Sequence, residues 1–178
     1  NLLDPVPVLD NKENSQSIEI QEKTFYSDSL SYNNILASIK PNSYKVKGKK
    51  YQWHSIKSKN EFIDLIEIFG QRDYVYTYAW AEVIVPEDKT VSMTLGSDDG
   101  VKVWLNGKIV HKNWIARSFE KDQDIFPVTF HKGKNQILIK IQNMQEGWAF
   151  SCRMLPLIFE SELAEKANEI IDGLSKND

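Results

Sequence analysis

Along residues 74–85, YVYTYAWAEVIV, alternate positions fall into two sets. Val75, Thr77, Ala79, Ala81, Val83 and Val85 form one, and Tyr74, Tyr76, Tyr78, Trp80, Glu82 and Ile84 the other. Successive side chains of a strand point to opposite faces, and both sets are largely apolar. The pattern therefore predicts a central strand covered on two sides for much of its length. Pro86 ends it, where a missing N–H is tolerated. Downstream, Val91, Met93 and Leu95 alternate with Ser92 and Thr94, and after SDDG, Val101, Val103 and Leu105 alternate with Lys102 and Trp104. Asn106-Gly107 then supplies the positive φ twice that a type I′ hairpin turn requires, and KIVH returns as the partner strand. IFPVTF, a turn at Lys132-Gly133, and NQILIKIQN with Ile137, Ile139 and Ile141 in phase predict two more strands. WAFSCRMLPL closes the series, with Trp148, Phe150, Cys152 and Met154 on one side.

Two stretches read as helix instead. Ser58 and Glu61 have capping-box spacing, and Phe62, Leu65, Ile66 and Phe69 follow at i, i+3, i+4, i+7 before Gly70, which predicts about three turns. Leu163, Ala167, Ile170 and Leu174 repeat the spacing near the other end, with Gly173 as a stop. Residues 1–20 hold two prolines and the polar run DNKENSQS, so they read as a linker or lead-in, with SIEIQEKTF a candidate first strand. The division is 1–20 lead-in, 21–160 module, 161–178 C-terminal helix or connector. The fold class is all-β: an antiparallel jelly-roll-like β-sandwich with one short internal helix and a C-terminal helix.

The chain has 178 residues with 41% hydrophobic and 26% charged side chains. At that size about 70% of the extended chain's surface is buried on folding, so no metal or disulfide staple is needed. No apolar run approaches the ~18 residues of a membrane span. The net charge of −3 argues against a dedicated nucleic-acid binder. Removing residues 160–178, with six acidic and two basic side chains, leaves the rest at +1. The first residue is Asn rather than Met, as in a processed or excised fragment.

Catalytic signals are sparse. A glycosidase needs two carboxylates facing each other about 5–9 Å apart, whereas Asp98-Asp99 are adjacent, and Glu120, Asp122 and Asp124 crowd one loop. His54, His111 and His131 lack any metal-ligand spacing and read as ordinary surface or rim histidines. Cys152, the only cysteine, excludes an intrachain disulfide and sits in the apolar phase of its strand, as a core thiol would. No GxSxG elbow or phosphate-cradling glycine loop occurs. The chain does not read as an enzyme. Residues 40–59 hold seven lysines and no acid, interleaved with Tyr44, Tyr51 and Trp53. This is either a stacking platform for single strands or a solvated meander. With no arginine between 40 and 59 to fork onto phosphate, an anionic polysaccharide suits the stretch better than nucleic acid.

The run GSDDGVKVWLNGKIVHKNW, residues 96–114, resembles the core hairpin of galactose-binding-like and PA14-like β-sandwich modules. The likeness continues through ARSFEKDQDIFPVTFHKGKNQILIKIQN to GWAFSCRM and covers roughly residues 45–160. It implies a non-catalytic carbohydrate-binding module that targets an attached enzyme or surface protein to a polysaccharide. The alternative is a structural accessory domain that packs on a catalytic neighbour without binding sugar. An extracellular, cell-surface or periplasmic location follows from either. The flocculin branch of PA14-like adhesins binds calcium through an aspartate pair that Asp98 and Asp99 match. No other cofactor is implied. The segment HKNW lacks the aspartate often found before Asn-Trp, and the pair can equally accept backbone N–H groups and fix the turn. Sugar modules stack pyranoses on flat aromatic faces with polar neighbours. Trp114 with Arg117 is the first choice for such a site, with Trp104, Trp148 and Asn113 as further candidates; packing in the sandwich is the competing role for each tryptophan.

Overall fold

A computed structural model describes residues 1–7, 22–23, 25–26, 32–39, 42–46 and 48–157. Strand makes up 54% of these residues and helix 13%, and the sheets do not close into a barrel. All strand pairs are antiparallel. The larger sheet runs β3 (Ser43–Val46), β4 (Lys49–His54), β1 (Leu2–Leu3), β6 (Val75–Val85), β11 (Gly133–Asn143), β8 (Val101–Leu105) and β9 (Lys108–Asn113), with β2 (Val6–Pro7) also on β6. The smaller runs β10 (Asp124–Phe130), β7 (Lys89–Ser97), β12 (Ala149–Pro156) and β5 (Ile63–Asp64). The strands predicted from Tyr74 onward are all present, and Asn106 and Gly107 have φ of 50° and 84°, as their hairpin turn demands.

Alternation explains two separate cores. Val75, Val101, Val103, Leu105, Ile137, Ile139 and Ile141 face the smaller sheet, where Val91, Met93, Leu95, Val128, Trp148 and Phe150 meet them. The opposite phase of the larger sheet carries Tyr76, Tyr78, Trp104 and Leu138, which pack with Leu3, Val6, Tyr51 and Trp53 against Ile35 of helix α1 (Tyr32–Ile39). The central strand β6 is thus covered on both sides at its start. From Ala81 onward it opens toward solvent, and Ile84 is 68% exposed.

Three expectations are corrected. Helix α2 spans only Leu65–Phe69, because Asp64 rather than Ser58 caps it; the Asp64 carboxylate accepts from Ile66 N and Glu67 N. Ser58 is diverted, its hydroxyl donating to the carbonyls of Asn60 and Phe62 and accepting from Asn60 N at 3.1 Å. Residues 1–7 are not a lead-in. Leu2, Leu3 and Val6 are at most 2% exposed, and β1 lies between β4 and β6, with Leu2 opposite both His54 and Ala79. Of SIEIQEKTF, the described Glu22, Lys23 and Phe25 have helical backbone rather than strand. The C-terminal helix expected over 161–178 lies outside the described residues.

Candidate functional site

The β7–β8 connection is Ser97-Asp98-Asp99-Gly100, held on both sides by neighbouring strands. Asp98 N donates to Ala149 O at 3.0 Å and Asp99 N to Gln142 O at 3.1 Å; the Asp98–Asp99 peptide bond is cis. The Asp99 carboxylate gathers two remote segments. Oδ1 accepts from Arg117 N at 3.0 Å, and Oδ2 from Met144 N at 2.6 Å. Burial pushes its pKa up, and the Met144 and Arg117 amides only partly offset this. Asp98 is 9% exposed. Its pKa rises to about 6, first from burial and then from the charge of Asp99, against one opposing amide bond from Phe119.

The loop from Asn113 to Asp124 folds over this turn because Arg117 bridges it. Its Nε donates to Ser97 O at 3.1 Å and Nη2 to Ser97 Oγ at 2.8 Å, while Nη2 also meets Asp124 Oδ2 at 2.5 Å. Asn113 Nδ2 donates to Asp124 Oδ1 at 2.9 Å. His111 stacks on Phe126 with centroids 4.3 Å apart and points Nε2 at Asp124 Oδ2, 3.5 Å away. Burial lowers the His111 pKa. For Asp124, burial works upward, but the bonds from Arg117 and Asn113 outweigh it and hold the carboxyl low. Two glycines allow the close approach. A Cβ on Gly96 would lie 2.0 Å from Glu120 O, and one on Gly147 2.5 Å from Asp98 Oδ2.

Asp98, Asp99, Asn113, Trp114 and Arg117 therefore converge at one end of the sandwich. Trp114 is half-buried, with its ring 5.4 Å from Phe25 and its edge 3.4 Å from the Cβ position of Gly100. Trp104 and Trp148 do not present a face. Trp148 is 1% exposed and packs near Phe69 in the inter-sheet core, and Trp104 is 5% exposed, with Lys102 Nζ 4.9 Å from its ring centroid. Arg117 commits Nε, Nη1 and Nη2 to Ser97 and Asp124. Sequence reasoning missed Asp124 as the strut of the site and Phe25 as the support of Trp114. An arginine seven residues before an aspartate in a polar loop was the available signal for the first; nothing local announces the second.

The donor set does not match calcium. That ion takes six to eight oxygens, yet both Asp99 oxygens already accept N–H groups. Among the described residues, no group of three or more His, Cys, Asp or Glu side chains is placed to hold a metal ion.

A second feature lies on the other flank. Strand β5 pairs only with Ala149 and Phe150 of β12, so beyond them the core opens into a groove of about 340 Å³. Ile56, Ala79, Ala81, Val83, Cys152 and Met154 are among its lining. Burial pushes the Cys152 thiol up to about 12, so it is an inert part of that wall.

No protein-family model matches the chain, and no curated protein matches it. A β-glucosidase from Kluyveromyces marxianus matches over 71% of this chain and 17% of its own, at 12% identity and a TM-score of 0.51. What is shared is the fold. Weaker likenesses, too low to argue from, include the PA14 domain of the MpAFP antifreeze protein, with 16% identity, 47% and 48% coverage and a TM-score of 0.39. A family 35 carbohydrate-binding module from Clostridium thermocellum gives 18%, 45% and 70%, and 0.28. The chain thus spans about a sixth of the glucosidase it matches.

Proposed function

We propose that this chain is a non-catalytic carbohydrate-binding module that targets an attached enzyme or surface protein to a polysaccharide. Trp114 would be its stacking face. The observation that carries this reading is the setting of Trp114. Of the three tryptophans singled out by sequence it alone keeps surface in solvent, and it stands over a turn whose neighbours are cross-braced. A rigid support of that kind suits a weak, shape-reading site, because little freedom remains to be lost on binding. Asn113 and Arg117 act in this reading as positioning residues, and Asp98 and Asp99 as turn-fixing groups rather than metal ligands. The glucosidase likeness over a sixth of that enzyme supports an accessory role beside a catalytic neighbour, and sugar targeting places the chain outside the cytoplasm, at a surface or in a periplasm. Among the described residues no helix is long and apolar enough to cross a membrane.

The test is affinity electrophoresis on a broad panel of neutral polysaccharides, with thermal melting alongside. Retention of wild type, lost in Trp114→Ala with folding intact, supports the site. Retention unchanged in that variant removes Trp114 from it. A second reading, a structural domain that packs on a neighbour, is favoured by the apolar groove between β6 and β12. Wild-type failure across the whole panel shifts the conclusion to it.

A further inference from the structure

The β3–β4 hairpin places Lys45 directly opposite Lys50, so both side chains stand on the same face of the sheet. Both are exposed, as are Lys49 beside the turn and Lys57 and Lys59 within five residues of the strand end. Like charges directly opposite across a strand pair are destabilising, and among the described residues no carboxylate pairs with either. None of the five lysines forms an ion pair among the described residues. By contrast Lys121 pairs with Glu61, Lys134 with Glu82, Arg117 with Asp124 and Arg153 with Asp122. The carboxylate set against β4, that of Asp4, is occupied by Gln52 N at 2.7 Å and His54 at 2.6 Å. Residues 40–59 carry +7, so with a chain total of −3 the other residues carry −10. Lysine on an edge strand discourages edge pairing, but that purpose needs one lysine, not a repelling pair.

We infer that this hairpin is a second contact surface, one for a polyanionic polysaccharide bearing carboxylate or sulfate groups. The hairpin's Tyr51 and Trp53 are 5% and 3% exposed and face the outer core, and Tyr44 is half-buried against it, so none presents the open face that base stacking needs. Lysine without arginine supplies point charges rather than forks for phosphate. The choice of a polysaccharide over another polyanion rests on the module reading above. The surface itself does not: β3 and β9 are opposite edges of the larger sheet, six strand spacings or about 29 Å from each other, and Trp114 follows β9.

The experiment measures retention of the intact chain on polygalacturonate and alginate, on neutral polysaccharides, and on single-stranded oligothymidylate, at low and high salt. Wild type is expected to bind the polyuronates and to lose them as salt rises. Lys45→Glu with Lys50→Glu should weaken that binding at least tenfold. Lys108→Glu with Lys132→Glu, the same change of charge on other turns, should leave it intact, and Trp114→Ala should affect only neutral glycans. Lys45→Glu alone turns the repelling pair into an attractive one, so its melting temperature should rise by a degree or two, which shows that the fold survives. The inference is overturned by absence of polyuronate binding in wild type or by insensitivity to the hairpin double change. Equal loss in the control pair overturns it too, as does oligothymidylate binding of similar strength abolished by the same hairpin change. Loss of neutral-glycan binding alone bears on the Trp114 site and not on this one.

Discussion

Arg117 and Asp124 face each other across the loop that closes the candidate site, Nη2 to Oδ2 at 2.5 Å, with only 13% and 9% of their side chains exposed. The pair ties β10 to the Ser97 carbonyl and so fixes the arch on which Trp114 stands. Removing one member of a buried pair strands the other's charge. Arg117→Ala should therefore cost about 3 kcal/mol in urea unfolding. In Arg117→Ala/Asp124→Asn the loss should be clearly less than the sum of the single changes. Additive losses would mean that the two side chains act independently.

Asp98 gives the site a pH signature. Its folded pKa, about 6, lies above the unfolded carboxyl value of 3.8, so the proton is bound more tightly in the native state. Ionised Asp98 costs stability above pH 6, and that cost is relieved as pH falls from 6 toward 4. The shift corresponds to about 2–3 kcal/mol at most. His111 works in the opposite sense, since burial depresses its pKa and acid must charge it. The measurement that isolates Asp98 is the difference between wild type and Asp98→Asn. The variant should be the more stable at pH 7.5, with its advantage shrinking by pH 4.5. A constant difference across that range would exclude the titration.

Calcium should not stabilise the fold. A ligand that binds only the native state raises the melting temperature by linkage, and the Asp99 oxygens are already committed to Arg117 N and Met144 N. Wild type is expected to melt alike in millimolar calcium and in chelator. Asp99→Asn should melt lower than wild type by the same amount in both. A calcium-dependent rise that vanishes in Asp99→Asn would restore the aspartate pair as a metal site.

Gly96 is the tightest point of the arch. A Cβ there would meet the Glu120 carbonyl at 2.0 Å and the Phe119 ring at 2.9 Å, and the first is backbone that cannot swing aside. Gly96→Ala should cost about 2–3 kcal/mol, the upper part of the range for overpacking, and should weaken glycan retention by displacing the loop. Stability within about 0.5 kcal/mol of wild type would show that the loop moves freely.

Trp114→Ala should cost about 2 kcal/mol, roughly half the loss from truncating a fully buried tryptophan, because Trp114 is half-buried, with its ring tilted against Phe25. Differential scanning calorimetry distinguishes this from a core role, for which the melting point would fall about twice as far.

Regular alternation made the sandwich legible. Strands β6 to β8 and β10 to β12 each carry at least two in-phase apolar residues, and β9 was legible only as the return arm of the Asn106-Gly107 turn. The two-residue strands β1, β2 and β5 are too short for any period to show, and their place depends on neighbours distant in the chain. Helix α2 was misplaced because two side chains competed for one cap. Asp64 won, leaving the Ser58 hydroxyl bonded within its own turn. At the site, the Asp98-Asp99 turn was visible as a motif. The role of Arg117 was not, since only the folded loop brings it to Asp124 and turns a candidate sugar-gripping group into internal bracing. Trp104 was out of phase with Val103 and Leu105; what the strand pattern could not supply was the second core, built by α1 and residues 2–6, that buries it.

The insertion of β1 between β4 and β6 gives the hairpin a narrow attachment. Leu2 and Leu3 pair with His54 and Trp53 on one side, and Leu2 with Ala79 on the other, and Asp4 N donates to Gln52 O at 2.8 Å, so three residues, Leu2 to Asp4, are the seam through which β3 and β4 join the larger sheet. Trp53 Nε1 bound to Ser38 Oγ at 2.8 Å adds a stitch to α1. A leaf held by so short a seam is expected to open before the β6–β11 ladder, which is eleven residue pairs long. Amide exchange at Lys50 and Gln52 is then expected to outpace exchange at Ile139 and Ile141 by orders of magnitude, and the lysine-bearing edge is expected to adjust to the contour of a polymer.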